Sequence, residues 1–216
     1  MKIDKFRIAW VRRNSVLFLD EQTGARFEAP IPGEARPNVP AYLRLPSGGP
    51  GSTRSGFSKL NFQEGLGLSR LELVKHPWVI VVPDDLQASE EAMLVNYGVE
   101  ALGAKRVILA AFSGVVGPGS PEAHQDYISV TDTFRSCAVT YYNEKGEQSQ
   151  RFLPMEQVDR EGINTALDQL SPLHRPPVYV DDLEGTGRWD TLGTPVSLER
   201  ALNTLRAGLI AAKDKR

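Results

Sequence analysis

The stretch from residue 78 to residue 111 most constrains what this chain can fold into. Residues 78–82 (WVIVV) are apolar at every position, and residues 106–111 (RVILAA) form a second apolar run. Runs of this length and composition predict strands that are buried on both faces. The segment between them places apolar residues at alternating spacings of four and three, which predicts one face of a helix: Ala88, Ala92, Val95, Val99 and Leu102. Gly103 ends this helix, and the unit predicts a right-handed βαβ crossover in an α/β sheet.

Two adjacent carboxylates stand at the start of this helix. Asp84 or Asp85 offers an N-cap, and Gln87 stands at the capping-box position for Asp84. Helix capping therefore predicts a structural role for both acids.

The other elements follow from short apolar runs and turn signals. Strands are predicted at residues 5–10 and 15–20, and a third at 25–29 or 41–45, followed by a helix over 60–74. Further along the chain, the predicted elements are strands at 127–132, 136–142 and 148–154, a helix over about 156–170, a strand at 178–182, and a final helix over about 197–211 capped by Thr194-Pro195 or Ser197.

The order of elements restarts after residues 117–122 (GPGSPE). We therefore predict two domains, residues 1–119 and 120–216. Both have the order β-β-β-α-β-α, and the first carries one further strand. Residues 46–56 (PSGGPGSTRSG) lack apolar anchors and predict a surface connection.

Composition excludes several classes of function. The chain has 216 residues with 27 acidic and 25 basic side chains, so its net charge is −2. Nucleic-acid binding needs a basic excess, and none is present. The one cysteine, Cys137, indicates a reducing compartment. The amino terminus has no apolar signal core, and no apolar run is long enough to span a bilayer. We expect a cytoplasmic protein without a membrane span.

Two stretches resemble a known superfamily. Residues 78–117 are similar to the bacterial rod-shape-determining actin homologues and pilus-assembly actin-like proteins, in which a strand, a Val-Pro-Ser-type turn, a helix and Gly-Ala-(Lys/Arg) follow in order. Residues 36–45 (RPNVPAYLRL) resemble a strand of the same proteins that follows a Pro-Ser-type turn. The resemblance implies an actin-like plan of two ribonuclease-H-like (βββαβα) lobes, with the outer subdomains of full-length relatives reduced.

The resemblance also implies a nucleotide cleft, and this chain departs from its pattern. In the family, two hairpins present Gly-rich turns to phosphate, and an aspartate in each first strand holds magnesium. At the first hairpin, Ala9 stands at the aspartate position, and Val11 and Arg12 replace a glycine and a hydroxyl residue, with Arg13 following. At the second hairpin, Ser129 replaces the aspartate.

The remaining cleft positions differ as well. Thr131, Asp132 and Thr133 replace the second glycine run, and Asp132 would repel phosphate. Ala111 stands where a carboxylate would position the attacking water. At the adenosine turn, Gly185 and Gly187 remain. These positions imply a degenerate actin-like chain without ATPase activity.

Other candidates have mostly structural interpretations. His76, His124 and His174 lie far apart and without a second ligand type nearby, so we expect no metal site. Cys137 predicts a buried structural thiol. Asp181-Asp182 follows an apolar strand, where a structural role and a ligand site are both open.

The sequence therefore predicts a non-catalytic scaffold or adaptor of a bacterial assembly, cytoskeletal or pilus-type, that binds proteins and needs no cofactor. Its partners include other proteins and, as one case, further copies of the chain, and we expect no ATP binding. Arg12 and Arg13 are either a solvated turn or a contact for an anion or acidic partner. The alternatives are a nucleotide-dependent filament-forming ATPase and a small-molecule kinase on the same fold.

Overall fold

The structure is a computed structural model. It describes residues 6–31, 33, 39–45, 64–73, 76–118, 125–146, 148–155, 158–170, 174–183, 187 and 189–214.

The first unit contains a five-stranded mixed sheet with the strand order β3-β2-β1-β4-β5. Its strands are β1 (Arg7–Val11), β2 (Ser15–Asp20), β3 (Arg26–Pro30), β4 (Trp78–Val82) and β5 (Val107–Ala111). β1 pairs antiparallel with β2 and parallel with β4, while β2 pairs antiparallel with β3. All residues of β1 and β4 are buried, because these two strands lie in the centre of the sheet.

The second unit repeats this arrangement. Its strands are β6 (Tyr127–Asp132), β7 (Ser136–Tyr142), β8 (Gln148–Pro154), β9 (Val178–Asp181) and β10 (Thr194–Val196). The sheet order is β8-β7-β6-β9-β10. This is the order of the first sheet if β6 to β10 correspond, one by one, to β1 to β5. The pairing directions match too, because β6 is antiparallel to β7 and parallel to β9. The predicted fold class, two ribonuclease-H-like α/β units, is confirmed.

Residues 64–66 are helical, and five further α-helices and a 3-10 helix at Ala41–Arg44 accompany the sheets in the described part of the chain. They are α1 (Arg70–Leu73), α2 (Ala88–Glu100), α3 (Phe112–Val115), α4 (Arg160–Leu170) and α5 (Leu198–Asp214). In the second unit, α4 packs on β7 and β8, whereas α3 packs on β6, β7 and α5. None of the helices within the described residues is long and apolar enough to cross a membrane.

The core of the second unit lies between its sheet and α4. It joins alternate strand residues to one face of the helix, and its buried members are Ile128, Val130, Cys137, Val139, Ile163, Ala166, Leu167, Val180 and Trp189. Cys137 is a buried thiol within this core, as predicted. The helix predicted over about 156–170 is thus confirmed as α4, and its Ile163 and Leu167 lie in this core.

In the first unit, an ion pair lies within the core at the end of the first hairpin. Arg7 Nε lies 3.4 Å from Asp20 Oδ1, and both side chains are 2% exposed. The two residues face each other across β1 and β2, and Arg7 also donates to the Glu72 carbonyl oxygen. Removing one partner of such a pair leaves a buried charge, which costs far more than the pair contributes.

Compact packing divides the chain into Met1–Val82 with Leu86–Ala110, and Pro83–Asp85 with Ala111–Arg216. The short segment Pro83–Asp85 thus clusters with the second unit, although β4 immediately before it belongs to the first. The domain boundary predicted at residue 119 lies outside the described residues and stays a prediction, and the connection predicted over 46–56 also lies outside them.

Several predicted elements need correction. The third strand is Arg26–Pro30, whereas residues 41–44 form a 3-10 helix. The helix predicted over 60–74 is interrupted at Gly67, whose φ is +64°, a value that L side chains rarely adopt. The second unit also carries a fifth strand, β10, at residues predicted to cap the last helix. Ser197 is the cap instead, since its Oγ accepts from Arg200 N at 3.4 Å.

The buried face of α2 differs from the predicted one. Val99, predicted to face the core, is 44% exposed, whereas the buried residues are Glu90, Leu94, Tyr97 and Gly98. The reason is close packing at Gly98, where an added Cβ would lie 2.5 Å from Val107 Cγ2 and 3.2 Å from Ile80 Cδ1. A glycine without a side chain lets this face approach the sheet, and the larger apolar residues lie to either side.

The close packing at Gly98 predicts that a methyl group added at this position destabilises the fold. We expect Gly98→Ala to lower the free energy of unfolding by about 1–2 kcal/mol, because overpacking outweighs the gain of roughly 1 kcal/mol in helix propensity. Gly208→Ala in α5 is the matched control, since nothing lies within 4 Å of its added Cβ, and it should be neutral or stabilising. Urea denaturation of both variants measures this, and equal effects would contradict the packing explanation.

Candidate functional site: two hairpin turns that bind carboxylates of the same chain

The two sheets present equivalent hairpin turns. The first turn (residues 12–15) joins β1 to β2, and the second turn (residues 133–136) joins β6 to β7. Arg12 N donates to Ser15 O at 2.8 Å, and Thr133 N donates to Ser136 O at 2.9 Å. The same backbone hydrogen bond thus closes both turns, and a serine begins the second strand in each.

The second turn surrounds the carboxylate of Asp85. Thr133 Oγ1 lies 2.8 Å from Asp85 Oδ2, Ser136 Oγ donates to the same oxygen at 3.3 Å, and Arg135 Nε lies 3.3 Å from it. Arg135 Nη2 also donates to the Asp85 carbonyl oxygen at 2.9 Å. Two hydroxyls and a guanidinium are the donor set that proteins use for oxyanions.

The first turn meets a carboxylate in a similar way. Arg12 Nη1 lies 3.4 Å from both carboxylate oxygens of Glu28 on β3, and Ser15 Oγ donates to Oε1 of the same group. Arg13 is exposed. This ion pair is more exposed than the one at the second turn, because 45% of the Glu28 side chain is accessible, so it contributes little to stability.

Asp84 is partly buried among donors of the second unit. Ser113 N lies 3.1 Å from each of its carboxylate oxygens, and the Ser113 hydroxyl and the Thr131 hydroxyl (2.9 Å) also donate to it. Burial raises the pKa of the Asp84 carboxyl, and the neighbouring charge of Asp85 acts in the same direction; the hydrogen bonds from Ser113 and Thr131 lower it in part.

This group of hydrogen bonds continues to a tyrosine. Ser113 Oγ lies 2.9 Å from the hydroxyl oxygen of Tyr142. Since the serine proton is directed at Asp84, the tyrosine donates to the serine. Burial raises the pKa of Tyr142 to about 12, so this donor stays protonated at neutral pH.

Asp132 and Asp181, two other candidate acids, bind the backbone. Asp132 Oδ1 accepts from Phe134 N at 2.7 Å, which holds Phe134 at a φ of +75°. Asp181 accepts from Leu183 N at 3.0 Å and from Asp132 N at 3.4 Å. Asx-type bonds of this kind fix turns, so both carboxylates have structural partners.

The other predicted cleft positions lie on the strands as expected. Ala9 and Val11 are buried in β1, Ser129 and Thr131 are buried in β6, and Ala111 ends β5 immediately before α3. The Ser129 hydroxyl has no hydrogen-bond partner among the described residues.

At the predicted adenosine turn, Gly187 N donates to Asp182 Oδ1 at 2.9 Å, and Gly187 has a φ of +60°. Gly185 lies outside the described residues. The functional assignment of these positions stays a prediction.

The carboxylates at the start of α2 are the feature that sequence reasoning misassigned. The helix is capped by Gln87, whose backbone N donates to Glu90 Oε2 at 2.9 Å in a capping box, so Asp84 and Asp85 do not cap it. A sequence signal does exist: Thr131, near the end of β6, and Thr133, in the turn that follows, place two hydroxyls two residues apart for two adjacent acids. This signal can be interpreted only once it is known that the end of β6 and the turn after it contact the segment Pro83–Asp85.

The described histidines, His76 and His174, are not part of a cluster of metal-ligating side chains. No group of histidine, cysteine or acidic side chains in the described chain is arranged to hold a metal ion. His174 Nε2 lies 3.0 Å from Asp126 Oδ2, and Tyr141 donates to the same oxygen. This hydrogen bond raises the pKa of Tyr141 to about 12. His124 lies outside the described residues.

Loss of the Asp84 carboxylate predicts a clear difference in stability. Asp84→Ala leaves Ser113 N and two hydroxyls without their acceptor, so we expect a loss of about 1–3 kcal/mol in the free energy of unfolding. Asp84→Asn keeps one acceptor oxygen and should lose much less. Equal losses in urea denaturation would show that these hydrogen bonds do not determine the effect.

The raised pKa of Asp84 predicts a pH dependence with a defined sign. Its folded form binds a proton more tightly than the unfolded chain, so the ionised carboxylate costs stability above the raised pKa. As pH falls through that value towards 3.8, the wild type should gain stability relative to Asp84→Asn. Urea denaturation of both proteins from pH 8 to pH 4 measures this, and a constant or opposite difference would contradict it.

Similarity to known proteins is found among solved structures. No family model matches the sequence, and no curated protein matches it. Among solved structures, the chain is similar to MreB 5 of Spiroplasma citri bound to AMPPNP, at 11% identity and a TM-score of 0.48, over 100% of this chain and 97% of that chain.

Two further structures are similar to it. YeaZ from Pseudomonas aeruginosa has 13% identity and a TM-score of 0.42, over 98% of this chain and 95% of that one. The ethanolamine utilization protein EutJ from Carboxydothermus hydrogenoformans has 10% identity and a TM-score of 0.45, over 94% and 88%. The strand order repeated in both sheets gives this chain two ribonuclease-H-like units, the plan that the resemblance in its sequence implies.

Proposed function

We propose that this chain is a non-catalytic actin-like scaffold or adaptor of a bacterial assembly, cytoskeletal or pilus-type, that acts in the cytoplasm through protein contacts. The observation that carries the proposal is the Asp85 carboxylate within the second hairpin turn, held by Thr133, Arg135 and Ser136. In the family that the sequence resembles, this turn faces nucleotide phosphate. Here its donors already hold an anion of the same chain.

Electrostatics supports the proposal. A phosphate that approached the second turn would meet the negative charge of Asp85, and one at the first turn would meet Glu28, which binds Arg12 and Ser15. Two like unit charges 4 Å apart near a protein surface repel by about 4 kcal/mol. Binding there would also have to displace hydrogen bonds that the turn already makes.

The residues at the positions that the resemblance assigns to magnesium and to the attacking water also support it. Magnesium binds through oxygen ligands, of which carboxylates are the usual protein contribution. Ala9 and Ala111 supply no side-chain oxygen, and Ser129 supplies a neutral hydroxyl. A magnesium-nucleotide would therefore lack its charge-neutralising ligands, and a water would lack the carboxylate that orients it.

The proposed scaffold acts through contacts with other proteins, and the first hairpin carries two candidate residues for such a contact. Arg13, exposed at the tip of the first hairpin, is a candidate contact for an acidic partner, since arginine binds carboxylates through two nitrogens. Arg12 is the second candidate, although its guanidinium already pairs with Glu28.

Nucleotide binding is the decisive measurement. We expect no heat of binding when ATP and magnesium are titrated into the wild-type protein, and no phosphate release in a coupled assay. The sedimented fraction should be the same with and without ATP. Pelleting that responds to nucleotide would replace the scaffold by a filament-forming ATPase. Magnesium-dependent hydrolysis lost in Arg135→Gln would make the chain an enzyme.

A further inference from the structure

The donors of the second turn form a complete oxyanion site. Thr133 Oγ1, Ser136 Oγ and Arg135 Nε all lie within 3.3 Å of one oxygen, Asp85 Oδ2. Thr133 is fully buried and is oriented by Ser136 N, which donates to its Oγ1 at 3.0 Å. The same hydroxyl oxygen lies 2.9 Å from Ser136 O and 2.8 Å from Ser136 Oγ. The hairpin therefore fixes the position of this oxygen independently of Asp85.

The carboxylate is held less tightly than its donors. Three of its contacts, those from Arg135 Nε, Arg135 Nη2 and Ser136 Oγ, measure 3.3–3.5 Å. This is long for charge-assisted hydrogen bonds, which usually measure 2.7–2.9 Å. Solvent also reaches the pair, because the side chains of Asp85 and Arg135 are 14% and 24% exposed.

Asp84 anchors the same segment separately. Its carboxylate binds Ser113 and Thr131, neither of which contributes to the Asp85 contacts. Loss of the Asp85 carboxylate therefore leaves the segment attached and the donors of the turn in place.

We propose that the Asp85 carboxylate is an internal ligand that closes an oxyanion-binding site formed by Thr133, Arg135 and Ser136. The site takes a carboxylate or phosphate group once the Asp85 carboxylate is withdrawn. The inference rests on the proposed function, because both treat the second turn as closed in the native chain. It assigns that turn a ligand class and identifies the group that blocks it.

Chemical rescue of Asp85→Ala tests the inference. The thermal unfolding midpoint of this variant is measured in sodium chloride, sodium acetate and inorganic phosphate at equal ionic strength. We expect acetate or phosphate to raise the midpoint by roughly 2–4 °C over chloride, the shift that specific binding of about 1 kcal/mol produces in a chain of this size. The wild type should show no such difference, because its own carboxylate occupies the site.

Two controls define the outcomes. Arg135→Gln in the Asp85→Ala background should abolish the rescue, since it removes the cationic donor. No rescue by either anion, equal stabilisation of the wild type, or rescue that survives Arg135→Gln would each overturn the inference. If Asp85→Ala does not fold in chloride, Asp85→Ser and the yield of refolding in phosphate against chloride give the same comparison.

These outcomes are separate from those of the nucleotide titration. ATP binding by the wild type would overturn the scaffold proposal, whereas absence of rescue in the variant would overturn only the internal-ligand inference.

Discussion

Two adjacent carboxylates, Asp84 and Asp85, need hydrogen-bond donors where water is largely excluded, and the arrangement of the second unit depends on how they find them. Asp84 binds the first turn of α3 and a threonine of β6, while Asp85 binds the β6–β7 turn. A carboxylate left without donors at such a position would cost several kcal/mol. The segment Pro83–Asp85 therefore clusters with the second unit, although it directly follows β4, a strand of the first unit.

The doubled strand order makes the two hairpin turns equivalent. Because β1 and β6 hold the same place in their sheets, the turns that follow them are equivalent and are closed by the same backbone hydrogen bond. Each turn offers serine and arginine side chains, and each accepts a carboxylate from its own unit: Glu28 in the first and Asp85 in the second. In both turns, the side-chain donors are therefore bound to a carboxylate of the same chain.

Much of the fold could be predicted because it depends on local patterns. The bounds of β6 and β7 follow from alternating or continuous apolar runs between turn signals, and β4 is apolar at every position, which predicts a buried strand. The predicted buried face of α2 was wrong because a pattern of apolar residues does not show where the helix backbone packs closely on the sheet. Gly98, which has no side chain, lies against the sheet, and Val99 is exposed. β10 was missed because three residues carry little periodicity, and its pairing with β9 is what makes them a strand.

The sequence by itself determined most of the succession of elements and its repeat, because these follow from local pattern. It also determined that Ala9, Ser129 and Ala111 are not acids, because this is a matter of residue identity. The role of Asp84 and Asp85 was decided only by tertiary structure. Local chemistry favours an acid as a helix cap, but Gln87 and Glu90 cap α2, and the carboxylates meet hydroxyl and guanidinium groups about 30 to 50 residues further along the chain. Hydrogen bonds over such separations depend on which strand ends the fold brings together, and no local pattern encodes that.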